Sequence, residues 1–307
     1  MNKKILIIQL RPGLGDLCMF LPRCHEIAEQ NKGYKIYLLT KQNTKAEQVL
    51  KYDPFISKII FIDENKKKRS LLSLYRLFKN EKFSKVYSYQ YGPKYLKYLF
   101  FSKITGVKDY FYYGIFKKKE DMIQRSIIAN EKWLNIKIKN FSGKIFYPPP
   151  KEKYSNSVVI GIGASGDNKR WPLENFIEII QELKKLRFEK FILAGGKGER
   201  HISEKIISQL AFINFINMED FNVEQCIEEI SKCEIFLGND TGFMHVSACL
   251  GLRTYCLYGD TPSNDSMYNS NIFPILPPGM DEVYHDDLAM DKITTERVIE
   301  IIKKDYL

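Results

Sequence analysis

Residues 234–258, EIFLGNDTGFMHVSACLGLRTYCLY, decide the fold class of this 307-residue chain. The run Glu234–Asn239 is short and apolar, which is typical of a buried strand, and Thr254–Tyr258 has the same character. Residues 241–250 between them fit a short helix. A strand, a helix and a second strand in this order indicate a parallel sheet covered by helices.

The same alternation continues outward through both halves of the chain. In the first half we predict strands at Ile5–Leu10, Lys35–Thr40, Ile59–Ile62 and Lys85–Tyr89, with a helix after the first strand that ends near Gln30. In the second half we predict strands at Val158–Gly163, Phe191–Gly196 and Phe212–Ile216, and helices after Pro172, over 199–210 and from Val223. The pattern of residues 93–145 gives no ordered assignment.

A stiff polar segment, YPPPKEK at 147–153, reads as a linker between the halves. The sequence therefore predicts an α/β fold of two Rossmann-like domains, residues 1–150 and 151–307, whose parallel sheets face a central cleft. A last helix over about 294–305 could pack back on the first domain. In open parallel sheets, ligands bind beyond the carboxyl ends of the strands.

The composition excludes disordered, collagen-like and disulfide-scaffold classes, because 44% of residues are hydrophobic and 27% are charged. The net charge of +10 is unevenly distributed. Residues 1–150 hold 30 Lys and Arg against 12 Asp and Glu, whereas residues 151–307 hold 17 against 25. A basic half and an acidic half indicate two domains with different partners.

The six cysteines and four histidines show no metal-ligand spacing, so we predict reduced, buried thiols of a cytosolic protein and no metal site. The N-terminal MNKKILIIQL has an apolar run too short for a signal peptide and reads as a strand. No run approaches the ~18–20 apolar residues that span a bilayer.

The first candidate site is RPGLGD at 11–16, directly after the first predicted strand. Gly13 and Gly15 allow a tight turn and close approach of a ligand, and Arg11 lies in the same loop. Asp16 then begins the helix. This carboxylate can be interpreted as a helix cap or as a general base, and the residues alone favour the cap.

The second and third sites follow two strands of the second half. Residues 161–166, GIGASG, match G-x-G-x-x-G, but the helix does not open inside the motif, so a dinucleotide fingerprint is poorly supported. We interpret Gly163 and Ser165 as parts of an arm that brings Lys169 and Arg170 to an anion, with a solvated Lys-Arg pair as the alternative. Glu199 follows GGKG at 195–198 and fits either a ribose ligand or a helix-start acid.

The fourth site, GNDTGFMH at 238–245, joins a strand to a short helix. Backbone N–H groups near Gly242 would bind phosphate at the helix start, and Thr241 adds a hydroxyl. His245 lies one turn beyond Thr241. The structural alternative is that Asp240 caps the helix and His245 is a core histidine. Together, four glycine-bearing turns with acids, cations and an anion-binding helix start predict a nucleotide-diphosphate ligand.

These segments resemble glycosyltransferase family 9, the ADP-heptose:lipopolysaccharide heptosyltransferases. The resemblance runs through five segments: ILIIQLRPGLGD, YDPFISKIIFID, NKRWPLENF, LAGGKGE and GNDTGFMHVSACLGLRTYCLYGDTP. It implies a GT-B fold, inverting chemistry and no catalytic metal or other cofactor. The first loop, with Arg11 and Pro12, and the tip at 165–169 depart from the family pattern.

The resemblance also assigns roles to individual residues. Asp16 matches the catalytic aspartate, Lys169 the lysine that contacts the donor phosphates, and Glu199 the acid that binds the donor ribose. The turn Asp240–Gly242 matches the donor-binding turn, and His245 a histidine of the same motif.

The expected function is transfer of a sugar onto an anionic lipid-linked or oligosaccharide acceptor, with Asp16 as base. The family resemblance implies that the sugar is heptose and that the donor is ADP-heptose. A field from the basic half would draw the enzyme to the cytoplasmic face of the inner membrane. A nucleotide-sugar epimerase or hydrolase is the alternative within this fold. A nucleic-acid-binding protein is the alternative from another class, but the lysine runs lack a recognition motif, so we expect no nucleic acid partner.

Overall fold

The computed structural model describes residues 3–63, 70–114, 122–139 and 142–306, apart from the side chains of Asp265 and Met267. The chain forms two compact units, Met1–Phe146 and Tyr147–Leu307. The division falls at the start of the proline-rich segment 147–153.

The first unit contains a five-stranded parallel sheet in the order β3-β2-β1-β4-β5. Its strands are β1 (Lys4–Ile8), β2 (Lys35–Thr40), β3 (Ile56–Phe61), β4 (Lys85–Tyr91) and β5 (Asp109–Gly114). Its helices are α1 (Leu14–Gln30), α2 (Ala46–Val49), α3 (Leu71–Glu81), α4 (Pro93–Ile104) and α5 (Met122–Leu134). The run Ile5–Ile8 is fully buried, as expected of a central strand covered on both faces.

The helices of the first unit build its core from residues at helical spacing. Leu74 and Phe78 of α3 join Tyr98 and Phe101 of α4 in a cluster with Leu6 of the central strand. Helices α1 and α5 pack against each other. This packing holds α1, and with it the loop that follows β1, in a fixed position on the sheet.

The second unit contains a six-stranded parallel sheet in the order β11-β10-β9-β6-β7-β8. Its strands are β6 (Ser157–Gly161), β7 (Lys190–Ala194), β8 (Phe215–Asn217), β9 (Ile235–Asn239), β10 (Arg253–Leu257) and β11 (Ile272–Ile275). Its helices are α6 (Leu173–Lys185), α7 (Arg200–Gln209), α8 (Val223–Ser231), α9 (Gly242–Cys249) and α10 (Thr295–Tyr306). The predicted α/β architecture with parallel sheets is confirmed.

In each sheet the strand order reverses beside the first strand of the unit. The reversal lies between β1 and β4 in the first unit and between β6 and β9 in the second. A crevice opens at the carboxyl ends of the strands at such a switch point. The loops after β1, β6 and β9, which carry most of the sequence-predicted site residues, all start there.

The C-terminal helix α10 buries its apolar face within the second unit. Val298, Ile299 and Ile302 belong to the core cluster of that unit, and the Tyr306 and Phe188 rings stack at 5.7 Å. The predicted packing of this helix on the first domain is therefore not needed to bury its apolar residues.

All six cysteines lie in the described residues, are buried and form no disulfide. Burial raises the pKa of the Cys226 and Cys233 thiols to about 12, and it raises the pKa of Cys24 and Cys256 further. Within the described ranges, no helix combines the length and apolar character needed to cross a membrane.

Candidate active site

The loop after β1 places Asp16 in the first turn of α1. Its Oδ2 accepts a hydrogen bond from the Gly13 N–H at 3.0 Å, and its Oδ1 lies 2.5 Å from Nε of Arg11. The Asp16 side chain is only 16% exposed, whereas Arg11 is 53% exposed. The carboxylate therefore caps the helix with one oxygen and offers the other to an ion pair with a solvent-facing partner.

Gly13 is required by the position of the Asp16 carboxylate. A Cβ atom on residue 13 would lie 2.8 Å from Asp16 Oδ2, closer than carbon and oxygen approach in folded proteins. Any side chain there would displace the acid. This close contact gives a physical reason for glycine in the RPGLGD segment.

A cavity of about 380 Å³ lies beside this loop at the carboxyl ends of the strands. Leu10 and Pro12 of the loop line it, together with Lys41 after β2 and Lys94 and Lys97 of α4. Burial, followed by the charge of Lys94, lowers the pKa of Lys97. The cavity thus presents cations near Asp16. Sequence reasoning missed it because its lysines come from the loop after β2 and from α4, which are about 50 residues apart in the chain.

The glycine-bearing turns of the second unit converge at its switch point. A Cβ atom on Gly163 would lie 3.7 Å from Cα of Gly195 and 3.8 Å from both Glu199 Oε2 and Thr241 Cγ2. The turns after β6, β7 and β9 therefore meet within van der Waals distance. The grouping of these three turns, which the sequence predicted from strand ends alone, is present in the structure.

Asn239 fastens two of these turns together. Its buried amide donates to the carbonyls of Ile162 and Gly163 at 3.3 and 3.0 Å, while its Oδ1 accepts from the Trp171 N–H at 3.0 Å. Trp171 in turn donates through Nε1 to the Ile293 carbonyl at 2.8 Å. Sequence reasoning passed over Asn239, although its position at the end of a buried strand was a usable signal.

Glu199 and Arg170 face each other across the turns after β6 and β7. Arg170 Nη2 lies 3.6 Å from Glu199 Oε1, and Glu199 Oε2 accepts a hydrogen bond from the Gly196 N–H at 2.8 Å. Asp167 forms an ion pair with Arg170 at 2.5 Å. The predicted Lys-Arg pair is therefore not a simple solvated pair, because Arg170 is held by two carboxylates.

Asp240 pairs with His245 rather than capping the helix. His245 Nε2 lies 3.3 Å from Asp240 Oδ1, and His245 Nδ1 lies 2.9 Å from the buried Tyr268 hydroxyl. Burial raises the pKa of Asp240, but the hydrogen bond and charge of His245, with the charge of Lys169, outweigh it and hold that pKa below its usual value. Asp240 is therefore ionised at neutral pH.

Thr241 is the residue that caps α9. Its hydroxyl accepts a hydrogen bond from the Met244 N–H at 3.3 Å, and Gly242 is the first residue of the helix. The alternative in which Asp240 caps this helix is wrong. Because the hydroxyl serves only Met244, the N–H groups at the start of α9 include donors suited to an anion.

The arm after β6 carries the remaining predicted residues. Ser165 is exposed, and Lys169 ends a short 3₁₀ turn, Asp167–Lys169, where its charge acts on Asp240. The structure therefore brings Lys169 near the turn after β9. It records no hydrogen bond for Ser165 among the described residues.

The first glycine of the G-x-G-x-x-G match serves packing rather than a ligand. A Cβ atom on Gly161 would lie 2.3 Å from the Phe236 ring, and one on Gly238 would lie 2.3 Å from the Gly161 carbonyl oxygen. The neighbouring strands β6 and β9 pair at these two residues. This arrangement explains the first glycine of the motif without a dinucleotide.

The lowered pKa of Asp240 makes part of the stability dependent on pH. The ionised carboxylate stabilises the fold above the ordinary aspartate pKa of 3.8, and this contribution disappears as the pH falls through the lower folded-state value. We expect Asp240→Asn to reduce the slope of unfolding free energy against pH by up to about 1.4 kcal/mol per pH unit in that window. Denaturant titrations between about pH 2 and pH 4 measure it, with the exposed Asp281→Asn as control; equal slopes in both variants would contradict the prediction.

Among the described residues, no group of three or more His, Cys, Asp or Glu side chains is placed to hold a metal ion. The acids of the site are instead paired with cations and backbone N–H groups. The arrangement offers one carboxylate at the first switch point, and cations with a helix start at the second.

Comparison with known proteins gives matches to one family. Residues 131–271 match the family model described as glycosyltransferase family 9 (heptosyltransferase), a range that contains all the turns of the second switch point. Lipooligosaccharide heptosyltransferase 2 from Campylobacter jejuni (strain 81116) is 24% identical over 97% of this chain and 98% of its own. These matches support glycosyltransferase family 9 for this chain.

A second curated relative aligns over a shorter range of the chain. Lipopolysaccharide heptosyltransferase 1 from Campylobacter coli is 24% identical over 50% of this chain and 47% of its own length. The family match and the curated heptosyltransferase relatives show that the chain is a glycosyltransferase that uses a nucleotide sugar.

Solved structures support the GT-B fold of this chain. The glycosyltransferase family 9 structure from Veillonella parvula superposes with a TM-score of 0.79 at 16% identity, covering 98% of this chain and 96% of that one. E. coli heptosyltransferase WaaC with ADP superposes at 0.74 and 15% identity, covering 98% and 99%.

Proposed function

We propose that this glycosyltransferase is an inverting, metal-independent heptosyltransferase that moves heptose from ADP-heptose to an anionic lipopolysaccharide-core acceptor. The observation that carries the proposal is the pair of switch points, one with the Asp16 carboxylate and the other with cations and a helix start. The names of the two Campylobacter relatives, both heptosyltransferases, support the sugar, and the ADP in the E. coli structure supports the nucleotide.

The second unit would hold the donor. Lys169 and the N–H groups at the start of α9 would bind the diphosphate, since both present positive charge at one end of the sheet. Oε1 of Glu199, which lies 3.6 Å from Nη2 of Arg170, would accept hydrogen bonds from the ribose hydroxyls. Asp240, which His245 holds in its ionised form, would accept a hydrogen bond from a hydroxyl of the sugar.

The first unit would supply the base. Asp16 would remove the proton from an acceptor hydroxyl, whose oxygen then forms a bond to the anomeric carbon while the bond to the diphosphate breaks. One displacement of this kind inverts the anomeric configuration. Arg11 occupies Oδ1 of Asp16 without substrate, and its 53% exposure allows it to move when the acceptor arrives.

The lysine-lined cavity beside Asp16 would receive an acidic part of the acceptor. We expect the double variant Lys94→Gln/Lys97→Gln to raise the acceptor KM about tenfold and to leave the donor KM unchanged. The acceptor KM rises because the variant lacks two cations that would make partly exposed contacts with the acidic group. Initial rates with either substrate varied measure this. An increase in the donor KM alone would contradict the assignment of the cavity to the acceptor.

Binding of nucleotides gives the direct test of the donor. Thermal unfolding with ADP, UDP, GDP and dTDP should show the largest increase in Tm with ADP, since a ligand at 100 times its Kd adds about 2.7 kcal/mol. Transfer should then require both ADP-heptose and a carbohydrate acceptor and should persist in EDTA. Epimerised or hydrolysed donor without acceptor would identify the alternative epimerase or hydrolase instead.

The expected place of action is the cytoplasmic face of the inner membrane. A lipid-linked acceptor is confined to such a surface, and the excess of basic residues in 1–150 favours an anionic one. Fractionation of cells at low and high salt tests this, because electrostatic attachment weakens as salt increases.

A further inference from the structure

The outer side of α4 carries an apolar stripe that the core does not use. Leu96, Phe100 and Ile104 follow one another at intervals of four residues and are 48%, 58% and 52% exposed. Residues at this spacing share one side of a helix. Tyr98 and Phe101 of the same helix are buried in the core, so α4 is apolar on its outer side as well as its inner side. A surface helix normally has a polar outer side.

Lysines border this stripe. Lys103 is exposed on α4 within the same stretch. At the end of α4 a recess of about 550 Å³ is lined by Ile104 and by Lys79, Lys82 and Lys108. All four lysines are exposed. We call the stripe and these lysines together the α4 face.

An exposed apolar stripe with a lysine border matches the surface of an anionic bilayer. Apolar side chains of an interfacial helix enter the boundary between headgroups and acyl chains, and lysine stems lie along the apolar surface while their ammonium groups reach phosphates. The stripe extends about 12 Å along the helix, because eight residues rise about 1.5 Å each.

We propose that the α4 face is the surface through which this protein lies on an anionic phospholipid membrane. A second copy of the chain is a poorer occupant, since two such faces would bring their lysines together. The inference rests on the proposed function in one respect: a lipid-linked acceptor is the reason for the protein to bind a membrane. The face itself is independent of the reaction.

Vesicle binding tests the apolar part. Wild-type protein should sediment with vesicles of phosphatidylglycerol and phosphatidylethanolamine but not with phosphatidylcholine vesicles. The variant Leu96→Gln/Phe100→Gln/Ile104→Gln should partition at least about tenfold less, since three apolar side chains lose their burial. Phe212→Gln, which changes a 70% exposed residue of the second unit, is the matched control and should bind as wild type.

The lysines have a separate test. Lys79→Gln/Lys82→Gln/Lys103→Gln should weaken binding to the anionic vesicles by about fivefold per lysine near the surface. Lys184→Gln/Lys205→Gln/Lys303→Gln, three exposed lysines of the second unit, is the matched control. Binding by the first variant equal to that of the control would overturn the electrostatic part.

Activity with a water-soluble, de-acylated acceptor separates the two proposals. Both α4-face variants should transfer sugar to this acceptor at the wild-type rate, because none of the changed residues lines the cavity beside Asp16. If wild-type protein transfers sugar to this acceptor but does not bind the anionic vesicles, the membrane inference alone is overturned. If wild type sediments as a dimer and Leu96→Gln/Phe100→Gln/Ile104→Gln sediments as a monomer, the α4 face binds a second copy of the chain. That result would overturn the membrane inference.

Discussion

Replacing Asp16 with asparagine is expected to lower the rate of sugar transfer roughly 10²–10⁴-fold, the usual contribution of a positioned general base. The amide oxygen can still accept the hydrogen bond from the Gly13 N–H, so the start of α1 should remain intact. Affinity for ADP should stay near the wild-type value, because the donor is assigned to the second unit. Initial rates and calorimetric titration with ADP measure the two quantities.

Glu174 provides the control for Asp16. It is an exposed acid in the first turn of α6, so Glu174→Gln changes the same type of helix position in the second unit. Transfer by this variant should be unchanged. If Asp16→Asn retained a tenth or more of wild-type transfer, Asp16 would not be the base.

Lys169→Ala should lower kcat/KM roughly 10²–10³-fold, similar to the loss of one donor that stabilises developing negative charge. The lysine is part of the arm fastened by Asn239 and acts electrostatically on Asp240, which places its charge near the start of α9. The loss should appear in kcat as well as in affinity for ADP, because charge grows on the diphosphate as the sugar leaves.

Two variants make the result for Lys169 specific. Lys184→Ala removes an exposed lysine from α6 and should leave transfer unchanged. Lys169→Arg should recover part of the activity, since the charge returns with a different geometry. An effect of Lys169→Ala on the acceptor KM alone would exclude its assignment to the donor phosphates.

The strands were predictable where burial on both faces made them continuously apolar. Lys35–Thr40 was predicted with its observed bounds, and the other predicted strands lie within a few residues of theirs. Helix α4 was missed because Leu96 and Phe100 on its outer side hide the amphipathic period. Strand β5, DYFYYG, was missed because its aromatic residues are mostly half-buried and give no clear alternation.

The site was predictable to the level of turns but not of contacts. Glycines and polar residues at strand ends located the turns after β1, β6, β7 and β9. Which acid pairs with which base depends on contacts that sequence separation conceals. Tyr268, which holds His245, comes from 23 residues further along the chain, and Asn239 contacts residues more than 60 positions away.

The buried cysteines make this protein suited to site-specific labelling. Thiol reagents react with the thiolate. Burial hinders access to all six native thiols, and raised pKa values keep the thiolate rare in Cys24, Cys226, Cys233 and Cys256. A cysteine introduced at an exposed position, such as Lys82 in the first unit or Phe212 in the second, should therefore react with a maleimide well before the native six. One dye on each unit would then report by energy transfer how the separation of the units changes when a nucleotide sugar is added, without removal of any native cysteine.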